Sequence, residues 1–168
     1  MWSKPRATTM VMTPSQKSFL DKIGPAVRSV SKNTGILSSV ILAQAILESV
    51  WGNSTLAQEA NNLFGIKADS NWLGSTITVK TKEVRAEKEV TEEVSFRSYP
   101  SLTQGIMDYG QFFTSTPWRK QNYQKFRQSA SYLQAVIELQ KSGYATDPKY
   151  AEKLKSIIER YSLDRFDF

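Results

Sequence analysis

The chain has 168 residues, 22 lysines and arginines against 16 acidic residues, a net charge of +6, and neither cysteine nor histidine. That length suits one domain, or a domain with a small appended lobe, able to bury roughly two thirds of its unfolded surface without a disulfide. Lacking Cys and His, the chain excludes thiol nucleophiles, Ser-His-Asp triads, Cys/His zinc sites and haem attachment, so any acid–base chemistry falls to carboxylates, tyrosines or lysines, and neither a metal nor a cofactor is expected.

The longest apolar stretch, Ile36 to Leu47, is about a dozen residues and contains Ser38, Ser39 and Gln44, whereas a membrane span needs roughly 20. Met1–Arg6 is basic with no apolar run behind it. No signal peptide is therefore visible, which suits a chain released without one, a phage product or a domain excised from something longer. The surplus of positive charge predicts attraction to polyanions such as nucleic acid, anionic lipid or wall polymers. The positives are scattered with no basic helix face, so nucleic acid is not an expected partner. Residues 36–66 carry only two charges, Glu48 and Glu59, which marks them as a core element with Glu48 in its most apolar part.

In chain order, Thr13-Pro14-Ser15-Gln16 is a capping box with Pro at the first helical position. Phe19, Leu20, Ile23, Val27 and Val30 then recur every three to four residues, predicting an amphipathic helix that Asn33-Thr34-Gly35 ends. Ser38 to Val50 is apolar nearly all round and predicts a buried central helix. Trp51-Gly52-Asn53 breaks it, and Ser54 to Ala60 fits a short third helix. The period then changes to two. Thr76–Glu83 and Val90–Phe96 alternate and predict a β-hairpin joined by Arg85–Glu89. Helices resume at the box Ser101–Gln104, with Ile106, Tyr109 and Phe113 on one face, and at the box Ser131–Gln134, ended by Gly143. Asp147-Pro148 starts the last helix, with Ala151, Leu154, Ile158 and Tyr161 inward. The expected fold class is α+β: a mainly helical domain with one inserted hairpin lobe at about residues 67–99.

Three residues stand out chemically. A carboxylate on a buried helix loses hydration, its pKa rises, and near neutrality it can serve as a general acid. Glu48 fits this description, with Gln44 four residues earlier on the same face to orient it; reaching out at the helix end or pairing with a lysine are the structural alternatives. Counting by two from Ile77 places Glu83 on the face of Val79 and Thr81, toward the body of the protein. Glu87, Glu89, Glu92 and Glu93 instead read as a solvated charged rim. Asp147 and Pro148 are accounted for as a helix cap, but Tyr144, an aromatic on the loop before them, is not. Trp51, Phe64, Trp72, Tyr123 and Tyr150 are aromatics able to stack on sugar faces or to fill the core.

At these residues the chain resembles a known family. The run Leu42-Ala43-Gln44-Ala45-Ile46-Leu47-Glu48-Ser49-Val50-Trp51-Gly52-Asn53-Ser54 is similar to the signature of the bacterial endo-β-N-acetylglucosaminidases of glycoside hydrolase family 73, which include flagellar muralytic proteins, autolysins and phage lysins. Asn61–Lys67, Thr81–Glu83, Phe96–Tyr99 and Gly143–Ala151 look like the later blocks in family order, so the resemblance covers about residues 13–163. Val50 departs from it, since many relatives carry Gly there, and residues 1–12 match nothing. They are read as an N-terminal extension, disordered or appended, ahead of a catalytic domain at 13–168.

The resemblance implies a lysozyme-like α+β fold and cleavage of the peptidoglycan glycan strand at the β-1,4 bond between N-acetylglucosamine and N-acetylmuramic acid. It also implies action at the bacterial cell wall or outside the cell. It places the general acid at Glu48, a second functional Glu at Glu83 and a functional Tyr at Tyr144. Gln44, Trp51, Asn62, Phe64, Asp147 and Tyr150, in the same blocks, are the candidate substrate-binding residues. Three routes stay open after proton donation: Glu83 as nucleophile, Glu83 as base, or attack by the substrate's own 2-acetamido oxygen with Tyr144 steadying the intermediate. A lytic transglycosylase or muramidase on the same fold and a non-catalytic wall-binding module are the rival readings.

Overall fold

The computed structural model describes residues 9–167, with Glu83 described by its backbone alone. Helix α1 (Pro14–Thr34) begins at the full capping box: Gln16 N–H donates to Thr13 Oγ1 at 3.2 Å and Thr13 N–H to Gln16 Oε1 at 3.0 Å. Its five buried residues are the five that the period picked out. Helix α2 (Ser38–Ser49) lies at the centre, against α1 on one side and against α7 (Tyr132–Lys141), α8 (Tyr150–Arg160) and a C-terminal 3-10 turn (Leu163–Phe166) on the others. Ten of its twelve residues are buried. Burying a large aliphatic side chain such as Ile41 stabilises by about 1.5–3 kcal/mol.

No side chain of its own caps the start of α2, because Leu37 occupies the N-cap. Asp167 supplies the cap from across the fold, accepting from Ser39 N–H at 2.7 Å and from Ser39 Oγ at 2.6 Å. This satisfies orphan donors at the positive pole of the helix. At the other end α2 stops abruptly, since Val50, Trp51 and Gly52 all take positive φ (51°, 57° and 82°).

Helix α3 (Thr55–Ala60) is capped by Ser54 and followed by Asn61 in the left-handed region. The lobe follows as β1 (Thr76–Arg85) paired antiparallel with β2 (Lys88–Arg97). The strands run longer than the alternation suggested, and the turn is shorter: only Ala86 and Glu87 intervene, both at positive φ, the geometry of a two-residue hairpin turn. A third pairing at the base, Lys67 with Phe96, ties the hairpin to the preceding loop.

The remaining helices are α4 (Leu102–Phe112), α5 (Pro117–Asn122) and α6 (Gln124–Arg127), before α7 and α8. The sequence reading did not include α5 and α6, although Thr116-Pro117 carries the same start signal as α1, and Thr116 does accept from Arg119 N–H. At Ser101 and Ser131 the hydroxyl half of the expected box forms, but Gln134 reaches back to Ala130 N–H instead of its own cap residue. Helix α8 starts at Tyr150, later than expected, because Asp147 closes a turn on Lys149 N–H at 2.9 Å first. Residues 9–12, assigned above to the extension, run along the end of α8, with Met10 N–H donating to Arg160 C=O at 2.8 Å.

Candidate active site

Glu48 sits in the last turn of α2 and opens into a groove of about 420 Å³. One wall is the loop Phe64–Lys67 with Asp69, and the other is Phe112, Arg119, Tyr144 and Ala145. The helix is buried but its carboxyl is not sealed inside, as the expectation of a shielded group would have it: Glu48 is exposed toward the groove. The walls still strip enough water to raise its pKa above the usual carboxylate value, a hydrogen bond from Tyr150 and the charge of Lys153 offsetting part of the rise. Its place at the negative pole of α2 disfavours ionisation further. Gly65 lines the groove floor, and a Cβ added there would stand 3.9 Å from Glu48 Oε2.

Beneath the acid lies a directional hydrogen-bond chain. Gln44, 0 % exposed, accepts from the Tyr109 hydroxyl through Oε1. Its Nε2 donates to Tyr150 Oη at 3.0 Å, and Gln44 also hydrogen-bonds Tyr144. With its oxygen already accepting from Gln44, Tyr150 has its own O–H left to donate to Glu48. That hydrogen bond favours the ionised carboxyl of Glu48, against the larger effect of burial. Burial pushes the hydroxyls of Tyr144 and Tyr150 far above the usual tyrosine range. Both therefore remain neutral donors at any physiological pH.

The structure brings Glu48, Phe64 and Tyr144 to the groove, with Tyr150 and Gln44 directly behind the acid. The other expected residues lie elsewhere. Trp51, thrown aside by the left-handed turn after α2, packs edge-on between Phe19 and Tyr161. Asn62, 1 % exposed, latches the loop: its amide donates to Ile66 C=O and Arg97 C=O, while its oxygen accepts from Phe64 and Ile66 N–H. Asp147 holds its turn and pairs with Lys153 at 2.5 Å. Trp72 packs over Arg97, and Tyr123 is buried among Phe112, Phe113 and Tyr144. Glu83 belongs to β1 and pairs with Val90. Its strand register shares the face of Ile77, Val79 and Thr81, all half-buried.

Sequence reasoning missed Asp69 and Arg119. Arg119 Nη2 reaches Asp69 Oδ2 at 2.6 Å, and its guanidinium lies 4.2 Å over the Phe112 ring. Arg97, 4 % exposed, adds a longer contact to Asp69 and a 3.0 Å pair with Asp108. The Arg119 bond, then the charges of both arginines, hold the Asp69 carboxyl below the usual range. The groove thus contains one carboxyl biased toward its proton and one held ionised, but the second is occupied by two guanidinium groups and is poorly placed to act as nucleophile or base. The signal for Arg119 was its position two residues into the helix opened by Thr116-Pro117; Asp69 carried no pattern beyond an Asx turn on Asn71.

Among the described residues no group of three or more acidic side chains is arranged to hold a metal ion, and no helix is long and apolar enough to cross a membrane. A central helix delivering a carboxylic acid into an open groove beneath a small β lobe defines a glycoside hydrolase domain of lysozyme-like architecture.

Comparison with known proteins agrees. Residues 24–163 match the model of the glucosaminidase family, described as mannosyl-glycoprotein endo-beta-N-acetylglucosaminidase, and the chain belongs to that family. It is 41 % identical over 153 residues to the exo-glucosaminidase LytG of Bacillus subtilis (strain 168), covering 90 % of this chain and 54 % of that protein. It is 37 % identical over 158 residues to the "Probable N-acetylmuramidase" of Lactococcus lactis subsp. lactis (strain IL1403), covering 92 % and 36 %. Among solved structures, the catalytic domain of the autolysin Auto from Listeria monocytogenes superposes with a TM-score of 0.80 at 32 % identity, covering 96 % of this chain and 92 % of that one. The chain spans about half or less of the length of the curated relatives it matches.

Proposed function

We propose that this domain hydrolyses the glycan strand of peptidoglycan at the β-1,4 bond on the reducing side of N-acetylglucosamine, with Glu48 as general acid. The observation that carries the reading is the Glu48 carboxyl, opening into the groove with its pKa raised and one oxygen engaged by Tyr150. Two relatives are named for an activity on glucosaminyl and on muramyl residues, and those two sugars alternate along one polymer. Action at the bacterial cell wall follows, and the net charge of +6 favours contact with its anionic polymers.

Glu48 gives its proton to the glycosidic oxygen as the bond to the anomeric carbon breaks, and positive charge develops on the sugar. Water then completes the hydrolysis by one of three routes. Glu83 attacks as nucleophile, or acts as base, or the 2-acetamido oxygen attacks while the neutral Tyr144 hydroxyl orients it. Expected carboxyl separations are about 5 Å for the first and about 6.5–9.5 Å for the second. Replacing Glu83 by Gln should cause a large loss of rate if either of the first two operates, whereas Asp69→Asn should act chiefly on stability, through Arg119.

The deciding experiment is digestion of purified peptidoglycan followed by mass spectrometry of the new ends, wild type beside Glu48→Gln. Reducing N-acetylglucosamine ends support the proposal. Reducing or anhydro N-acetylmuramic acid ends replace it with a muramidase or lytic transglycosylase, and sedimentation with walls without release points to a binding module.

A further inference from the structure

A second groove is lined by chain neighbours of Arg119 and Tyr144. It measures about 650 Å³ and is lined by Trp118, the amides of Gln121, Asn122 and Gln124, and the charged Lys125, Glu138 and Lys141. Trp118 is 66 % exposed, with one edge steadied by Tyr123 at 6.4 Å between ring centroids. The open indole presents a flat apolar face to solvent beside the polar and charged side chains of the groove. The floor is rigid: Asn122 Nδ2 donates to Ser142 C=O at 2.8 Å, and Ser142 Oγ to Glu138 C=O at 2.7 Å. The side-chain amides of Gln121 and Gln124 have no hydrogen-bond partner among the described residues.

We infer that this groove binds glycan, taking a segment of peptidoglycan strand outside the hydrolytic groove. The inference rests on the proposed substrate. Its chemistry matches each part of that polymer. The indole offers a flat apolar face to a pyranose ring. The amides pair with hydroxyl and acetamido groups. Lys125 and Lys141, outnumbering Glu138, attract the carboxylates of muramyl lactyl groups and stem peptides. The two grooves are mechanically joined, because Trp118 and Arg119 are consecutive on α5, and Ser142 stands two residues before Tyr144. Holding a neighbouring stretch of strand therefore also steadies the wall of the hydrolytic groove.

The test uses the whole domain silenced by Glu48→Gln, retained on purified sacculi by co-sedimentation and titrated calorimetrically with the β-1,4-linked tetramer of N-acetylglucosamine. Adding Trp118→Ala should weaken sacculus retention about tenfold, while Trp118→Phe keeps it within about threefold. In the active enzyme, Trp118→Ala should leave turnover of a short soluble glycan within about twofold, since that substrate fills one groove. Equal retention with and without Trp118, or a matching loss of soluble turnover, overturns the inference. If Trp118→Ala fails to fold, Lys125→Glu/Lys141→Glu decides in its place by the same retention assay. Failure of the wild type to release sugar ends would overturn the hydrolytic reading separately, leaving retention through Trp118 to be judged alone.

Discussion

The central helix and the hairpin lobe are opposite kinds of platform. Helix α2 is almost without charge, buried on nearly every side, capped at its start by Asp167 and braced at its end by Gln44 and Tyr150. The hairpin is two strands with no core of their own, studded with exposed ion pairs such as Lys82–Glu89. Among the described residues its hydrogen bonds to the body lie at its base, where Arg97 and Asn62 knit it to the loop after α3. Packing over-determines where Glu48 stands, whereas the position of Glu83 depends on a strand pair joined to the body at one end. The lesson is that the proposed proton donor stands on an element of the core, while the lobe is an attachment whose base, more than its tip, matters.

The largest test of that contrast is Glu48→Gln. It should lower turnover at least about 10²-fold with unchanged circular dichroism. Because folding raises the Glu48 pKa, the folded state holds its proton more tightly than the unfolded one. Stability is then lost as pH rises from about 4.5 through the folded value. The Gln variant should accordingly melt slightly higher than wild type at pH 7, with the gap closing below pH 4.5. A variant that unfolds at pH 7 would break the claim that the acid is a burden on its helix.

Next in size is Arg97→Ala at the base of the lobe. It strips a nearly buried cation from Asp108 and from Lys67 C=O, and should cost about 3 kcal/mol in urea unfolding. A cost below about 1 kcal/mol would mean that the base is no better anchored than a surface pair.

A subtler effect is expected for Tyr150→Phe. Loss of its hydroxyl removes a donor to the Glu48 carboxylate, so the pKa of the acid rises further. The alkaline limb of the pH–rate profile, where Glu48 loses its proton, should move up by about one pH unit. Movement downward would show that Tyr150 does not donate to the acid. Smallest of all, Arg85→Gln near the hairpin tip breaks an exposed pair with Glu92 and should leave the melting temperature unchanged.

The same contrast explains what could be seen in the sequence. Helices α1, α4 and α7 were legible because each opens on a capping box, α2 because Ser38–Val50 is apolar nearly all round, and the centrality of α2 because Ile36–Ile66 holds two charges. Glu48 stood out for the same reason. The groove walls did not. Arg119 belongs to a six-residue helix too short to show a period, and Asp69 matters only through arginines distant in the chain. Trp51 looked like a sugar platform because it follows the acid closely, yet three consecutive left-handed residues turn it onto α1 and α8. Gln44 was seen to share a face with Glu48, but Tyr150 stands between them, and no spacing rule places a residue from 106 positions away.

Val50 has a practical corollary. It is β-branched, 61 % exposed and held at φ 51° just after the acid-bearing helix. Relief of left-handed strain by glycine amounts to about 1–2 kcal/mol, and the added freedom of the unfolded chain takes back about 0.5–1 kcal/mol. Its exposed side chain leaves little packing to forfeit, so Val50→Gly is a natural first step in hardening the enzyme against heat, made just beyond the last turn of α2 without altering any lining residue of the Glu48 groove.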